Sequence, residues 1–375
     1  MIIAVGWAGI LAAESKSEAP DALFPVRSVW TLALNNPLTV PPAYDATHAF
    51  FSIASDRIVA YDRKTGTQKW IVSAQPQFEP STGDGLLIFA EPDGLTALNG
   101  ETGSLAWKLP LAGKPAQRPV WDNGWLVVAT MDGSVHAFRA SDGHHLWSHE
   151  IGSPAHAPPA LAADRVYVAT TNGRVVALRV ETGAPEWERR LGGTPNDILA
   201  LDDRLFVGAT DNFFYCLMAI DGRVDWRWRT GGDTVGMPIA DEHRVYFVAL
   251  DNILRALNQI SGNQHWMRPL PFRPSSGPVK AGRTLVVAGQ APTLRGYNVA
   301  DGTAAGEIQA PPEPAGPPHV FVDSETKLPL LLYLTRELDK GATATLITRN
   351  LEPTSTPIAP LPNVIAVTPA TASEK

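Results

Sequence analysis

The sequence predicts an all-β fold: an eight-bladed propeller of four-stranded antiparallel blades, closed by pairing an N-terminal strand with the C-terminal blade. Three observations predict it. A turn glycine followed four residues later by tryptophan recurs about every 40 residues, the period of a propeller blade. Short runs of β-type residues, joined by Asn-Gly or Asp-Gly, fill the intervals. No stretch carries the helical period over a useful length.

The turn glycines are Gly66, Gly103, Gly143, Gly183, Gly222, Gly262 and Gly302. Tryptophan follows the first six, as Trp70, Trp107, Trp147, Trp187, Trp226 and Trp266, while Gly306 stands in the seventh place. Trp30 extends the register upstream. Before each glycine stands Thr65, Thr102, Asp142, Thr182, Asp221, Ser261 or Asp301, a short oxygen-bearing side chain that bonds nearby backbone and favours a tight turn. The glycine supplies the positive φ. Six residues before it comes Ala60, Ala97, Ala137, Ala177, Cys216, Ala256 or Gly296, all small. A small residue at a fixed offset predicts a cavity within each unit in which the indole docks.

Between the turns, Arg165 to Thr170 and Arg174 to Leu178 flank Asn172-Gly173, and Trp125 to Thr130 and Ser134 to Phe138 flank Asp132-Gly133. Each unit therefore reads as three strands joined by turns, then a fourth beginning at the tryptophan. An eighth unit lacks the motif but keeps three strands, Pro318 to Val322, Leu328 to Thr335 and Ala344 to Arg349. Its fourth is expected from Val29 to Leu34, which closes the ring and removes its open edges. An open β-solenoid, or a seven-bladed ring with a strand extension, is the alternative. The propeller is expected over residues 28–350, with a signal-like apolar segment and linker over 1–20 and a flexible tail over 351–375.

Composition limits the function. The 31 basic and 38 acidic residues give a net charge of −7, which excludes a general nucleic-acid binder with a basic face. One cysteine, Cys216, excludes an intrachain disulfide framework and a cysteine-rich zinc site. Met1 to Ala13 is mostly apolar but shorter than the roughly 20 residues of a membrane span, so it suits a secretory signal without a basic leader. No cysteine follows it, so a lipid anchor is not supported. An exported chain, periplasmic or outer-membrane-associated, with a monomeric fold and no transmembrane segment, is expected.

The pattern resembles the quinoprotein (PQQ-like) propeller repeat, whose docking motif runs Ala-x-Asp-x-x-x-Gly-x-x-x-Trp. Ala60, Asp62, Gly66 and Trp70 match it fully; Ala97, Gly103 and Trp107 match with Asn99 in the Asp place, and Ala177, Gly183 and Trp187 with Arg179 there. Gly143 with Trp147, Gly222 with Trp226 and Gly262 with Trp266 repeat its spacing. WD and kelch repeats fit less well. The resemblance implies one of two functions. Quinoprotein dehydrogenases use pyrroloquinoline quinone (PQQ) and calcium on longer chains, and many hold adjacent cysteines over the quinone. BamB-type outer-membrane protein assembly factors are short eight-bladed scaffolds without chemistry. The blades here have nearly minimal length, so the expectation is a non-catalytic scaffold that binds protein partners, within an outer-membrane assembly complex, with no cofactor, PQQ and calcium included. An oxidoreductase or a ligand-sensing propeller is the alternative.

Candidate binding residues lie where the chain passes between blades. Arg118, His156, Asn196, Asp197, Asp233, Thr234 and Arg273 are expected to crowd the funnel mouth and to form the partner face. Asp93, Asp132, Asn172, Asp211, Asn212, Asp251 and Asn252, from the hairpin turns, are expected to ring the same face as turn formers. His144, His145, His149 and His156 are close in sequence, but His145 and His149 would stand about 13 Å apart on a strand. Surface histidines are expected, not a metal site. Trp226-Arg227-Trp228-Arg229 reads as alternation on an outer strand, tryptophans inward and arginines to water, and is the second choice for a partner surface. No catalytic motif is present.

Overall fold

The computed structural model describes residues 22–337 and 341–351. The signal-like segment over 1–20 and the tail from 352 lie outside them. The described residues form eight four-stranded antiparallel sheets and no helix. Seven are consecutive in sequence. In blade 4 the strands are Ala160–Ala162, Arg165–Ala169, Arg174–Arg179 and Pro185–Arg190. The fourth strand starts two residues before Trp187 rather than at it, because a register shift between Ala177 and Leu178 extends pairing past the turn. Blade 8 is built from both ends of the chain: His319–Val322, Pro329–Glu337, Gly341–Arg349 and, from the N-terminal side, Val26–Ala33. Val26 pairs Arg349 and Ala33 pairs Thr343.

The two middle strands of each blade carry the core. In blade 5, Arg204–Ala209 and Phe213–Met218 are buried along their central residues, whereas the outer strand Val224–Arg229 alternates, with Trp226 and Trp228 half-buried and Asp225, Arg227 and Arg229 exposed. The hydrophobic clusters lie between blades. Tyr167, Val175 and Ala177 of blade 4 pack with Leu205, Val207 and Tyr215 of blade 5. A ring of sheets packed face to face leaves no blade able to bury its apolar surface alone.

The tryptophans join the blades. Ala177 is Trp187's cross-strand partner in the same blade, and Ala60, Ala97, Ala137, Cys216 and Ala256 face their tryptophans in the same way. Each ring, however, lies on the turn glycine of the next blade, so the expectation of a cavity inside each unit is corrected. Trp147 covers Gly183, where an added Cβ would stand 2.5 Å from the ring, and its Nε1 donates to the Val180 carbonyl at 2.7 Å. The same pair of contacts recurs for Trp70 on Gly103, Trp107 on Gly143, Trp187 on Gly222, Trp226 on Gly262 and Trp266 on Gly302. Trp30 covers Gly66 and donates to Arg63, tying blade 8 to blade 1. Glycine is required at these turns twice over, by φ near +70° and by the indole. Asp62 serves the turn: its Oδ1 accepts from the Lys64 and Thr65 amides at 3.0 and 2.9 Å.

Blade 7 has Gly306 where the others have tryptophan, and the structure explains why. The third and fourth strands of blade 8 come from opposite chain ends, so no hairpin turn joins them and no glycine shelf awaits an indole. Phe24 fills the place instead. A Cβ on Gly296 or Gly306 would stand 2.2 or 2.3 Å from its ring. Leu23 beside it is fully buried and donates its amide to Thr284 Oγ1 at 3.2 Å.

Candidate functional site: the funnel mouth

The loops that carry the chain from one blade to the next lie beside the hairpin turns of the middle strands, so both sets form one face. Isolated bridges tie Pro115 to Thr130, Ala155 to Thr170, Thr234 to Ala249 and Pro274 to Gly289. The Gly231 amide donates to Asp251 Oδ2 at 2.8 Å. Several of the hairpin side chains are occupied in holding these turns. Asp132 Oδ1 accepts from Thr130 Oγ1 at 2.6 Å, Asn172 Oδ1 accepts from Thr170 Oγ1 at 2.8 Å, and Asp251 Oδ1 accepts from Arg255 Nη1 at 3.0 Å.

Seen from this face, the short inner strands line the hub, and their side-chain hydroxyls link neighbouring blades. Ser81 Oγ donates to the Pro119 carbonyl at 2.5 Å and Thr82 Oγ1 to the Tyr44 carbonyl at 2.7 Å. Glu79, Arg118 and Asp197 hold equivalent positions at the start of blades 2, 3 and 5, so the fold itself aims all three at the mouth. Arg118 Nε lies 3.8 Å from Glu79 Oε2. Partial burial raises the pKa of the Glu79 carboxyl, opposed by Arg118 and reinforced by the charge of Asp197. Burial raises Asp197 too, with Arg118 and His156 pulling the other way. One guanidinium thus stands among two reluctant carboxylates.

Of the seven residues expected at the mouth, the structure brings Arg118, His156 and Asp197 into one electrostatic group. Asn196 and Thr234 form a separate pair, with Asn196 Nδ2 donating to the Thr234 carbonyl at 3.2 Å. Asp233 is half-buried and Arg273 exposed. Neither shares a side-chain hydrogen bond or ion pair with the group among the described residues. Sequence reasoning missed Glu79. The available signal was its place before a proline that leads into the inner strand, Glu79-Pro80, matching Arg118-Pro119 one blade later.

Three more inward residues complete the site. Tyr44, Trp121 and His319 join Glu79 and Arg118, with prolines that precede the inner strands, to line a cavity of about 240 Å³. Tyr44 and His319 stack with ring centroids 4.1 Å apart. Trp121 lies over Gly83, where a Cβ would come within 2.0 Å of its ring. The Tyr44 hydroxyl and Trp121 Nε1 are buried without a hydrogen-bond partner, and such groups are rare because each costs about 1–3 kcal/mol. Burial drives the Tyr44 phenol up, so it stays protonated.

Burial, helped by Arg63, holds His319 down at about 4. Below an ordinary pKa of 6.5 the unfolded chain binds a proton that the folded chain refuses. Stability from this group is therefore complete above 6.5 and is lost as pH falls through 6.5 toward 4. We expect acidification over that window to cost roughly 3 kcal/mol through His319. Urea unfolding from pH 7 to 4 should show a shallower decline in His319→Gln than in the parent chain. Parallel declines would disprove the assignment.

Elsewhere, His145 Nε2 bonds Ser148 Oγ at 2.7 Å, and among the described residues no three His, Cys, Asp or Glu side chains are grouped as metal ligands would be. Cys216 is buried opposite Trp226, its thiol pushed up to about 12 by that burial. No helix among the described residues is long and apolar enough to cross a membrane.

The architecture is shared with solved structures. BamB from Moraxella catarrhalis superposes with a TM-score of 0.69 at 19% identity, covering 86% of this chain and 99% of that one. A quinohemoprotein alcohol dehydrogenase from Comamonas testosteroni superposes with a TM-score of 0.65 at 13% identity, covering 86% of this chain and 76% of that one. At these identities the likeness shows the fold alone. In sequence, the outer membrane protein assembly factor BamB of Nitrosomonas eutropha is 26% identical over 145 residues, 38% of this chain and 36% of that protein. The BamB of Yersinia pestis is 28% identical over 128 residues, 30% of this chain and 33% of that protein. The matched stretches span about a third of the length of these relatives. The family model described as outer membrane protein assembly factor BamB matches residues 27–116, 54–201 and 191–317, together most of the propeller. On that coverage, and with every docking turn in place, this chain belongs to the BamB family.

Proposed function

We propose that the chain is a non-catalytic, exported scaffold of outer-membrane β-barrel protein assembly, which binds a protein partner through the funnel mouth. The observation that carries this reading is the family match running from blade 8's N-terminal strand through blade 7, across the inner strands that build the mouth. The mouth suits a binding role. The hairpin carboxylates of Asp132, Asp211 and Asp251 are spent on local bonds, while Glu79, Arg118 and Asp197 are held in poorly compensated surroundings that a partner can relieve. The reading includes a periplasmic or outer-membrane-associated location, a monomeric fold, and no quinone or calcium. It is favoured over an oxidoreductase by the short blades, which leave little chain to elaborate a cofactor pocket.

The test is capture from envelope extracts with the full chain as bait. Truncating one side of a desolvated charged contact costs about 2–5 kcal/mol. We therefore expect Asp197→Ala with Asp233→Ala to lower recovery of outer-membrane assembly proteins by about tenfold or more. Equal recovery by the variant would remove the mouth as the partner face. Dye reduction with alcohols or sugars after adding quinone and calcium would remove the non-catalytic reading.

A further inference from the structure

The cavity beside the mouth has a chemistry of its own. Its walls are aromatic, from Tyr44 and Trp121, with Tyr44 backed by the stacked His319. Its charged groups are Glu79 and Arg118, and Asp197 acts on both from across the mouth. Two carboxyls share one guanidinium. Arg118 approaches Glu79 no closer than 3.8 Å, an ion-pair distance longer than a hydrogen bond. Neither carboxyl accepts a side-chain or backbone hydrogen bond among the described residues. Asp197 also has His156 nearby, so when Arg118 turns to Asp197 it is Glu79 that is left without a counter-charge. An arriving anion would meet that excess of negative charge. An arriving cation would cancel it.

We propose that this cavity receives a basic side chain, arginine or lysine, from an extended segment of the partner protein, which pairs with Glu79 against the Tyr44 and Trp121 rings. The inference rests on the scaffold reading above. Aromatic faces attract a cation through the ring quadrupole, most strongly where water is excluded. The incoming cation needs only the Tyr44 and Trp121 rings and the Glu79 carboxyl, all of which line the cavity. The space, about 240 Å³, is below that of a drug-sized ligand site and suits one side chain. It is reachable: Glu79 is 39% exposed, and Pro41 and Pro317 at the lip are exposed.

The test uses the full chain with ¹⁵N-labelled tryptophan and follows the Trp121 indole resonance, assigned by its loss in Trp121→Phe. Acetyl-arginine-amide is the probe, and acetyl-citrulline-amide is its uncharged isostere. We expect the arginine probe to shift the Trp121 resonance saturably and the citrulline probe to bind about tenfold or more weakly. Glu79→Gln should weaken the arginine probe by about tenfold. The seven docking indoles should stay in place, reporting an intact ring. An unmoved Trp121 resonance, equal binding of the two probes, or undiminished binding by Glu79→Gln with native docking resonances would each overturn the proposal. Failure here is distinguishable from failure of the scaffold reading. Partners still captured from extracts while the arginine probe fails would discard the socket and keep the scaffold.

Discussion

Replacing Trp147 with alanine should destabilise the protein by about 4 kcal/mol, the range for deleting a buried aromatic side chain from a packed site. Trp147 is 8% exposed and sits between blades 3 and 4. Its loss opens a cavity over Gly183 and strips the Val180 carbonyl of its donor. The surroundings cannot collapse into the gap, because the glycine shelf has no side chain to move. Trp147→Phe separates the two contributions. It keeps most of the ring and loses the hydrogen bond, so its cost should be lower by about half. Chemical unfolding followed by near-UV circular dichroism measures both. A cost below about 1 kcal/mol for the alanine variant would mean that the indoles decorate the blade boundaries instead of holding them.

Phe24→Ala should cost about 3 kcal/mol, at the lower end for an aromatic truncation because the ring is only half-buried. The effect is expected although the residue precedes the first strand of the ring. Phe24 stands on Gly296 and Gly306, and its neighbour Leu23 belongs to the core cluster that joins blades 7 and 8. Gly306→Trp should also destabilise, since its indole would enter the space of the Phe24 ring. Combining the two should not restore stability. Blade 8 has no hairpin turn between its outer strands and hence no glycine on which a new indole could rest. An unfolding midpoint unchanged by Phe24→Ala would contradict this account, as would full recovery in the double variant.

These two positions mark what the sequence could and could not convey. The blade count and the closure of blade 8 were legible, because glycine, tryptophan and small residues repeat at fixed offsets and each offset has a backbone reason. The direction of docking was not. Ala177 and Gly222 are both tied to Trp187 by the same period, so a strictly repeating sequence cannot say whether a ring turns to its own blade or to the next. Phe24 was invisible for another reason. It is a single aromatic with no repeat partner, and it acts on residues at the far end of the chain. At the mouth, Arg118, His156 and Asp197 could be placed by their loops. The aromatic cavity could not, since Tyr44, Trp121 and His319 are spaced like ordinary inner-strand residues and become neighbours only when the ring curves back on itself.

The way blade 8 is assembled also orders events as the chain emerges. Among the described strands Val26–Ala33 emerges first, yet its pairing partner Gly341–Arg349 arrives last. Joining the two ends costs little more than a shorter loop would, since the closure entropy grows only logarithmically with length. The hazard is the wait, during which an unpaired edge is open to wrong partners. Trp30 offers a berth, because Gly66 and the Arg63 carbonyl are made soon after it. The strand Val26–Ala33 can moor against blade 1 and hold its free side ready for the hairpin Pro329–Arg349, so that the earliest strand of the ring serves as the template on which its latest is laid.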